Sequence, residues 1–566
     1  MTAGAHATLF ASLYGGLAIA LFLLNGWNAY HPTDDGFILA YAWRVANGEV
    51  PYRDFLFVRM PLTPYLHSAV MLLPDGWQIQ TGRLSFFLEV ALSGALPSIW
   101  AVHRLGMRAT PRALGLAAIC FLFAVHNFPP MPWPTVDAVM FASAGATAFL
   151  FSLDAPGRRA LVLRGAASLL LALAVLSKQA FAPLPVLLVA YAVVEALRAR
   201  RPGLLLASVV PGALLGAIAL GAIAAAGALP FFLQQIAEPT QLRESVAVPW
   251  TGDPIAIGVE PYLRALTPLA IAGMLVSFAL AWTRDRTGRW ISLVRSAGAL
   301  AVFATLVALV VEAQLDPFTA GLQLFWMLVA AGAGLAATPL GRTRRLTLVA
   351  FASILALAWC ASLSFAYKTP LLGLAGAGLL LESAFPRGHW TAHRYAVLVA
   401  AAAVAFGIVR LQLDHPYREV PRALQTADLG EIYPRFGRML TNQSSYERFR
   451  ELRDLTGAHA RGLPFLVMPD YPLIHFLSNT RSPLSLDWIQ PQEYLGNEER
   501  LMQELLRERP VVLIERERSL TVGPATDPAL PCGRAEEPSS HLVAHVIARW
   551  RVVAEGRHFC VYRSPE

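Results

Sequence analysis

Two adjacent carboxylates, Asp34 and Asp35, occupy the stretch HPTDDGFIL (residues 31–39), between one long apolar run and the next. An acidic pair placed there either caps the following helix as a solvated turn or supplies a base at the surface of a membrane. Only two lysines, Lys178 and Lys368, occur in the chain against forty-four arginines, and both lie at the ends of apolar runs. An ammonium held near hydrocarbon is costly unless it is paired, snorkels to the interface or lines a cavity, so an anionic lipid phosphate is an attractive partner. Asp137, in MPWPTVDAVMF, opens another apolar run, where a carboxylate either complements a helix N-terminus or does chemistry. Glu89 falls within an apolar run, a functional candidate unless a hydrogen bond inside the bundle satisfies it. His126 could ligate a metal, although a lone histidine at a helix end is more often structural.

The elements that must hold these groups are membrane helices. Of 566 residues 55% are hydrophobic and 15% charged, with a mean hydropathy of +0.48; soluble domains carry about a quarter charged residues. The chain reads as a polytopic α-helical membrane protein of about 13 spans, from 8–26, 84–103 and 113–125 to 370–384 and 395–411. No Lys or Arg precedes the first run and no clear small-residue cleavage site follows it, so it is taken as a span and not a signal peptide. The net charge of +8 resides in short arginine clusters and forms no continuous basic patch, which argues against nucleic acid as a partner. Those clusters, such as Arg104, Arg108 and Arg112, then Arg158, Arg159 and Arg164, fall in every second loop. The positive-inside rule therefore puts the N-terminus in the cytoplasm and both the acidic pair and the tail outside.

The first outer loop, residues 27–82, holds two segments too short to span, and both are expected to be helices lying in the interface. FILAYAWRVANG ends in Asn47 and Gly48, which suit a helix C-terminus, and TPYLHSAVMLLPDG starts with Thr63 as N-cap. Residues 1–413 form the membrane domain, and charge and proline return in 414–566, a small C-terminal α/β domain. There PFLVMP, PVVLIE and RHFCVYR read as strands, and QEYLGNEERLMQELLRER and HLVAHVIARW as helices. Cys532 and Cys560 fall in this domain, where an oxidising periplasm permits a disulfide. The NQS at Asn442 matches a glycosylation acceptor only by accident.

The acidic pair after the first span, the short helix, and then GEVPYRDFLFVRMPLTPYL resemble the first outer loop of GT-C-class glycosyltransferases. That class includes protein O-mannosyltransferases, the lipid A aminoarabinose transferase and related bacterial sugar transferases. The resemblance covers the membrane half and is weak over the tail. It implies that Asp34 is the catalytic acid, with Asp35 as the variable second acid. Arg59 in VRMPL matches the basic residue that contacts the lipid phosphate. LSKQAF resembles the lysine-containing turn near the donor phosphate, which brings in Lys178. Asp137 matches the second acidic position, which orients the acceptor or a metal. The loop 227–263 resembles the mobile loop that closes over the donor, with Arg243 and Glu260 as lid or acceptor contacts. Val58 stands where the aminoarabinose transferase has an acid, so the metal is left unknown: no cofactor is certain and a divalent ion stays open.

The implied reaction is an inverting transfer of a sugar from a polyprenyl-phosphate donor to an envelope lipid, glycan or protein, at the periplasmic face of a bacterial inner membrane. A phosphate is a good leaving group, so one carboxylate base plus cations is a sufficient kit. A polytopic transporter, or a non-catalytic protein that binds or assembles lipid carriers, is the rival reading.

Overall fold

Long runs of Leu, Ala and Val with hardly a charge satisfy their backbone polar groups internally, so they are helical. The computed structural model describes residues 2–126, 130–237, 260–282, 317–337, 342–363, 391–414, 416, 418–494, 496–516, 531–532 and 540–565. Ten helices lead the chain: α1 (Ala3–Asn25), α2 (Asp34–Ala46), α3 (Leu62–Ser68), α4 (Gln78–Leu105), α5 (Pro111–His126), α6 (Pro134–Ser152), α7 (Gly157–Ser177), α8 (Pro183–Ala199), α9 (Pro202–Ala225) and α10 (Leu229–Ala237). Among the described residues six helices are long and apolar enough to cross a membrane: α1, α4, α6, α7, α8 with the turn before it, and α9. Shorter apolar helices follow, as at Ala270–Ala279 and Leu346–Ser362. The expected runs at 291–311 and 370–384 lie outside the described residues. The bundle is assembled by α1 on α4, α4 on α6, α6 on α7 and α7 on α9.

Three expectations change. Arg164 is no loop charge: it lies within α7, buried, paired with Glu195 and stacked 4.2 Å over Phe149. Of the two loop helices, α2 is not laid on lipid, whereas α3 and the turn after it keep Tyr65, Leu66 and Leu72 exposed. Most of α2 is buried, with Phe37, Ile38 and Tyr41 in the bundle core and Leu39 and Ala40 in the core of the tail. The helix is therefore a layer between two cores. In α3 the N-cap is Pro61, not Thr63, whose hydroxyl is committed elsewhere.

The tail carries a four-stranded mixed sheet of order β3-β4-β6-β5, from β3 (Phe465–Met468), β4 (Val511–Glu515), β5 (Arg551–Glu555) and β6 (Phe559–Arg563). β3 and β4 are parallel, their crossover containing the helix Glu498–Glu508; β6 is antiparallel to both neighbours. A small ribbon of β1 (Ala427–Asp428) and β2 (Leu440–Thr441) binds the membrane half directly. Leu440 N–H donates to Trp27 O at 2.8 Å and Leu440 O accepts from Ala29 at 3.2 Å. Farther along, Leu56 N–H donates to Ser485 O at 2.7 Å. Gly76 and Gly437 meet backbone to backbone with both φ positive, an approach any Cβ would block. Asn442 caps the helix Gln443–His459 by accepting from Ser445 N–H, so its NQS has a structural explanation.

Cys532 and Cys560 are joined as a disulfide across a separation of 28 residues, tying the long excursion after β4 to β6. Replacing both by serine should destabilise the oxidised tail by about 3–4 kcal/mol, from the loop-closure entropy restored to the unfolded chain. Thermal unfolding with and without reductant checks this: wild type should lose stability on reduction and the double variant should not respond.

Candidate active site

Asp34 and Asp35 form the first turn of α2, where a carboxylate meets the positive end of the helix dipole. They are not a solvated turn: they are 4% and 5% exposed. Each has its own arginine. Asp34 Oδ2 is 3.1 Å from an Arg418 guanidinium nitrogen, and the same nitrogen lies 3.2 Å from Thr33 Oγ1. Arg418 belongs to the tail and takes a left-handed backbone (φ +49°) that is rare outside glycine. Asp35 Oδ2 accepts from Arg83 at 3.0 Å and from His31 N–H at 2.9 Å. The other terminal nitrogen of Arg83 binds Asn28 O at 2.6 Å, so this buried arginine holds the chain that leads into α2. Burial pushes the Asp35 carboxyl above the ordinary carboxylate range, with Arg83 and the His31 N–H opposing the shift. The roles separate: Asp35 anchors the turn, and Asp34 faces the tail.

One turn along α2, Phe37 is the ring around which the site is built. Arg59 lies with its guanidinium 4.5 Å over that ring. Trp133, at the start of α6, packs at 5.5 Å and Trp488 of the tail at 5.0 Å. Residues three apart share a helix face, so Asp34 lies on the side of α2 that carries Phe37. Arg59 is also held by a two-pronged ion pair with Glu493, both bonds at 2.8 Å and both side chains buried. Trp488 Nε1–H donates to Asp470 Oδ1 at 2.8 Å. Burial raises the Asp470 carboxyl; its hydrogen bonds to Trp488 and Gln490 oppose this and the Asp34 charge adds to it.

Lys178, the residue capping α7, does not snorkel: it is buried and its ammonium donates to Thr135 Oγ1. Its neighbour Gln179 reaches Val58 O at 3.4 Å, which places the Lys178 and Arg59 segments side by side. Beyond Met60 a cavity of about 520 Å³ runs between α7, α8 and α9, lined by Leu171, Leu188, Val209 and Phe232. Asp137 points elsewhere. It accepts from Thr63 Oγ1 at 2.6 Å and lies 3.1 Å from His67 Nε2, fully buried and in reach of Glu89. It is not the helix cap; that position is Trp133. Arg243 and Lys368 lie outside the described residues, as do the side chains of Glu260 and His126.

Sequence reasoning missed Arg418, Asp470, Trp488, Glu493 and Arg83. Four of these stand in the tail, nearly four hundred residues or more from their partners, Glu493 at a separation of 434 from Arg59 and Arg418 at 385 from Thr33. The one available signal was the return of charged residues after 414.

At the back of α2, Arg44 pairs with Glu49 at 3.0 Å and approaches Asp487 at 3.4 Å. Burial pushes the Asp487 carboxyl up to about 6; Arg44 opposes this and Glu49 adds to it. The folded state thus favours the protonated form. Asp487's contribution to stability is complete below the ordinary carboxylate value and is lost as pH rises through about 6. Asp487→Asn cannot ionise, so its stability relative to wild type should improve by about 2 kcal/mol between pH 4.5 and pH 7.5. Parallel stability profiles for the two proteins would contradict the assignment.

No family model matches the chain, and no curated protein does so. Among solved structures, the chain is similar to ArnT from Cupriavidus metallidurans in the apo state, at 17% identity and a TM-score of 0.43 over 98% of both chains. It is likewise similar to ArnT from Cupriavidus metallidurans bound to undecaprenyl phosphate, at 18% identity and a TM-score of 0.44, again over 98% of each chain.

Proposed function

We propose that this membrane protein is a GT-C-type glycosyltransferase that moves a sugar, with inversion, from a polyprenyl-phosphate donor to a cell-envelope acceptor at the periplasmic face. The observation that carries the reading is the grouping around Phe37. A buried carboxylate, Asp34, opens the turn that carries Phe37, a buried guanidinium, Arg59, lies over that ring, and the next residue, Met60, lines an apolar cavity. Few other chemistries need a base, a cation and an oily slot in one place. Residues 1–413 supply the catalytic groups, and the tail, 414–566, closes over them with Arg418, Asp470, Trp488 and Glu493.

In this mechanism the prenyl chain lies in the cavity and its phosphate lies near Arg59 and Lys178. Asp34 takes the proton of the acceptor hydroxyl as that oxygen attacks the anomeric carbon. The bond from the sugar to the phosphate oxygen breaks in the same displacement, and the cations neutralise the departing phosphate. Arg418 keeps Asp34 oriented, and Trp488 with Asp470 walls the region against water, which would otherwise waste the donor. Glu493 occupies the fork of Arg59, so the incoming phosphate shares that fork or displaces the carboxylate.

Mass spectrometry of envelope glycans and lipid-linked sugars, with and without the protein, tests this reading. Its loss should remove one sugar from the envelope while the matching polyprenyl-phosphate sugar accumulates. An unchanged envelope, together with purified protein that consumes no polyprenyl-phosphate sugar, would return the molecule to the transporter or carrier-binding readings.

A further inference from the structure

Behind the Phe37 region, three donor side chains from three helices converge inside the bundle. His67 is in the last turn of α3, Glu89 three turns into α4 and Asp137 in the first turn of α6. All three are buried, and a ligand atom from each lies within 4.8 Å of the others. His67 Nε2 stands 3.1 Å from Asp137 Oδ1, and the Glu89 carboxyl is within hydrogen-bonding reach of Asp137. Nothing in the transfer mechanism uses this cluster.

Two carboxyl groups in contact and shut off from water cannot both stay charged unless something positive lies between them. Among the described residues neither carboxylate has a lysine or arginine partner; His67 is the basic group that faces them. A shared proton would join the carboxyl pair as a hydrogen-bonded triad, with the imidazole donating to Asp137 at 3.1 Å. A dication uses all three donors at once. Two carboxylates and a neutral imidazole sum with it to zero net charge, the favourable balance for a buried site.

We propose that His67, Glu89 and Asp137 bind one divalent transition-metal ion of the zinc or manganese type. The imidazole selects for these over calcium and magnesium, which prefer oxygen ligands alone. Thr63 supplies the supporting contact that such sites use: its hydroxyl donates to Asp137 Oδ2 at 2.6 Å and fixes the carboxylate's orientation. The ion pins α3, and with it the end of the first loop, to α4 and α6. Trp133, one turn before Asp137, is thereby held against Phe37. The ion is a positioning element, and the proposal does not depend on which group the protein transfers.

The test uses full-length protein purified in detergent, without a polyhistidine tag or chelator, from medium supplemented with zinc and manganese. Elemental analysis should find about one ion per chain in wild type, and at least tenfold less in His67→Ala and Glu89→Gln. Asp34→Asn should keep its ion. Because the ligand variants could fail to fold, wild type carries a second readout: chelator should lower its thermal midpoint and added zinc or manganese should restore it. A wild-type protein without bound metal, whose melting ignores both treatments, would mean a hydrogen-bonded triad only and would overturn the proposal. Undiminished metal in well-folded His67→Ala and Glu89→Gln would overturn it equally. Neither readout involves sugar transfer, so this proposal and the transferase reading fail separately.

Discussion

Asp34→Asn should slow sugar transfer on the order of 10²–10⁴-fold, the usual worth of a positioned general base, while the protein still folds and still binds its lipid donor. Asparagine keeps the shape of aspartate and can still accept a hydrogen bond from Arg418. It cannot take the acceptor's proton. Its effect on stability should be small, because the partner it leaves behind is hydrated: the Arg418 side chain is 38% exposed. Asp35→Asn makes the contrast. Arg83 is 1% exposed and would lose its carboxylate while fully buried, so the yield of folded protein should fall along with the rate. Transfer assays and donor-binding assays on the two purified variants separate a catalytic carboxylate from an anchoring one. Wild-type transfer by Asp34→Asn would end the mechanism proposed here.

Glu493→Ala should be among the most destabilising single changes in the chain. It leaves the Arg59 guanidinium buried over Phe37 without its counter-charge, at a cost of about 3–5 kcal/mol. Arg59→Met should cost a similar amount, because it strands Glu493 instead. The double variant Arg59→Met with Glu493→Leu removes both charges and fills the space with apolar atoms, so much of the lost stability should return. Transfer should not return with it, because the phosphate still lacks its cation. That split between restored stability and absent activity assigns Arg59 two roles, in the assembly of the tail on the bundle and in the reaction. Full activity in the double variant would leave only the first, and single variants as stable as wild type would leave neither partner essential to the fold.

The legible parts of this protein were the local ones. The apolar runs gave helices close to their expected bounds: 84–103 became part of α4, 113–125 nearly all of α5 and 183–197 the greater part of α8. The tail strands PFLVMP and PVVLIE appear as β3 and β4, while β5 and the helix Gln443–His459 were not anticipated. Lys178 stood out by rarity and turned out buried. Its partner, Thr135, could not have been named, because nothing near residue 178 points to a hydroxyl at the head of another helix.

The sequence by itself determined that this chain belongs in a membrane, where its acids and Lys178 sit relative to the helices, and that a tail with short strands follows. Those properties depend on hydropathy and capping within about 20 consecutive residues, a range any single segment displays. Only the tertiary structure decided which charges meet. It gave Asp34 to Arg418, Arg59 to Glu493, and Asp137 to His67 and Glu89 in place of the acidic pair. A buried charge must find an opposite charge or a hydrogen-bond partner in space, whatever the separation along the chain. For Arg59 that partner lies 434 residues away, beyond the reach of any local pattern.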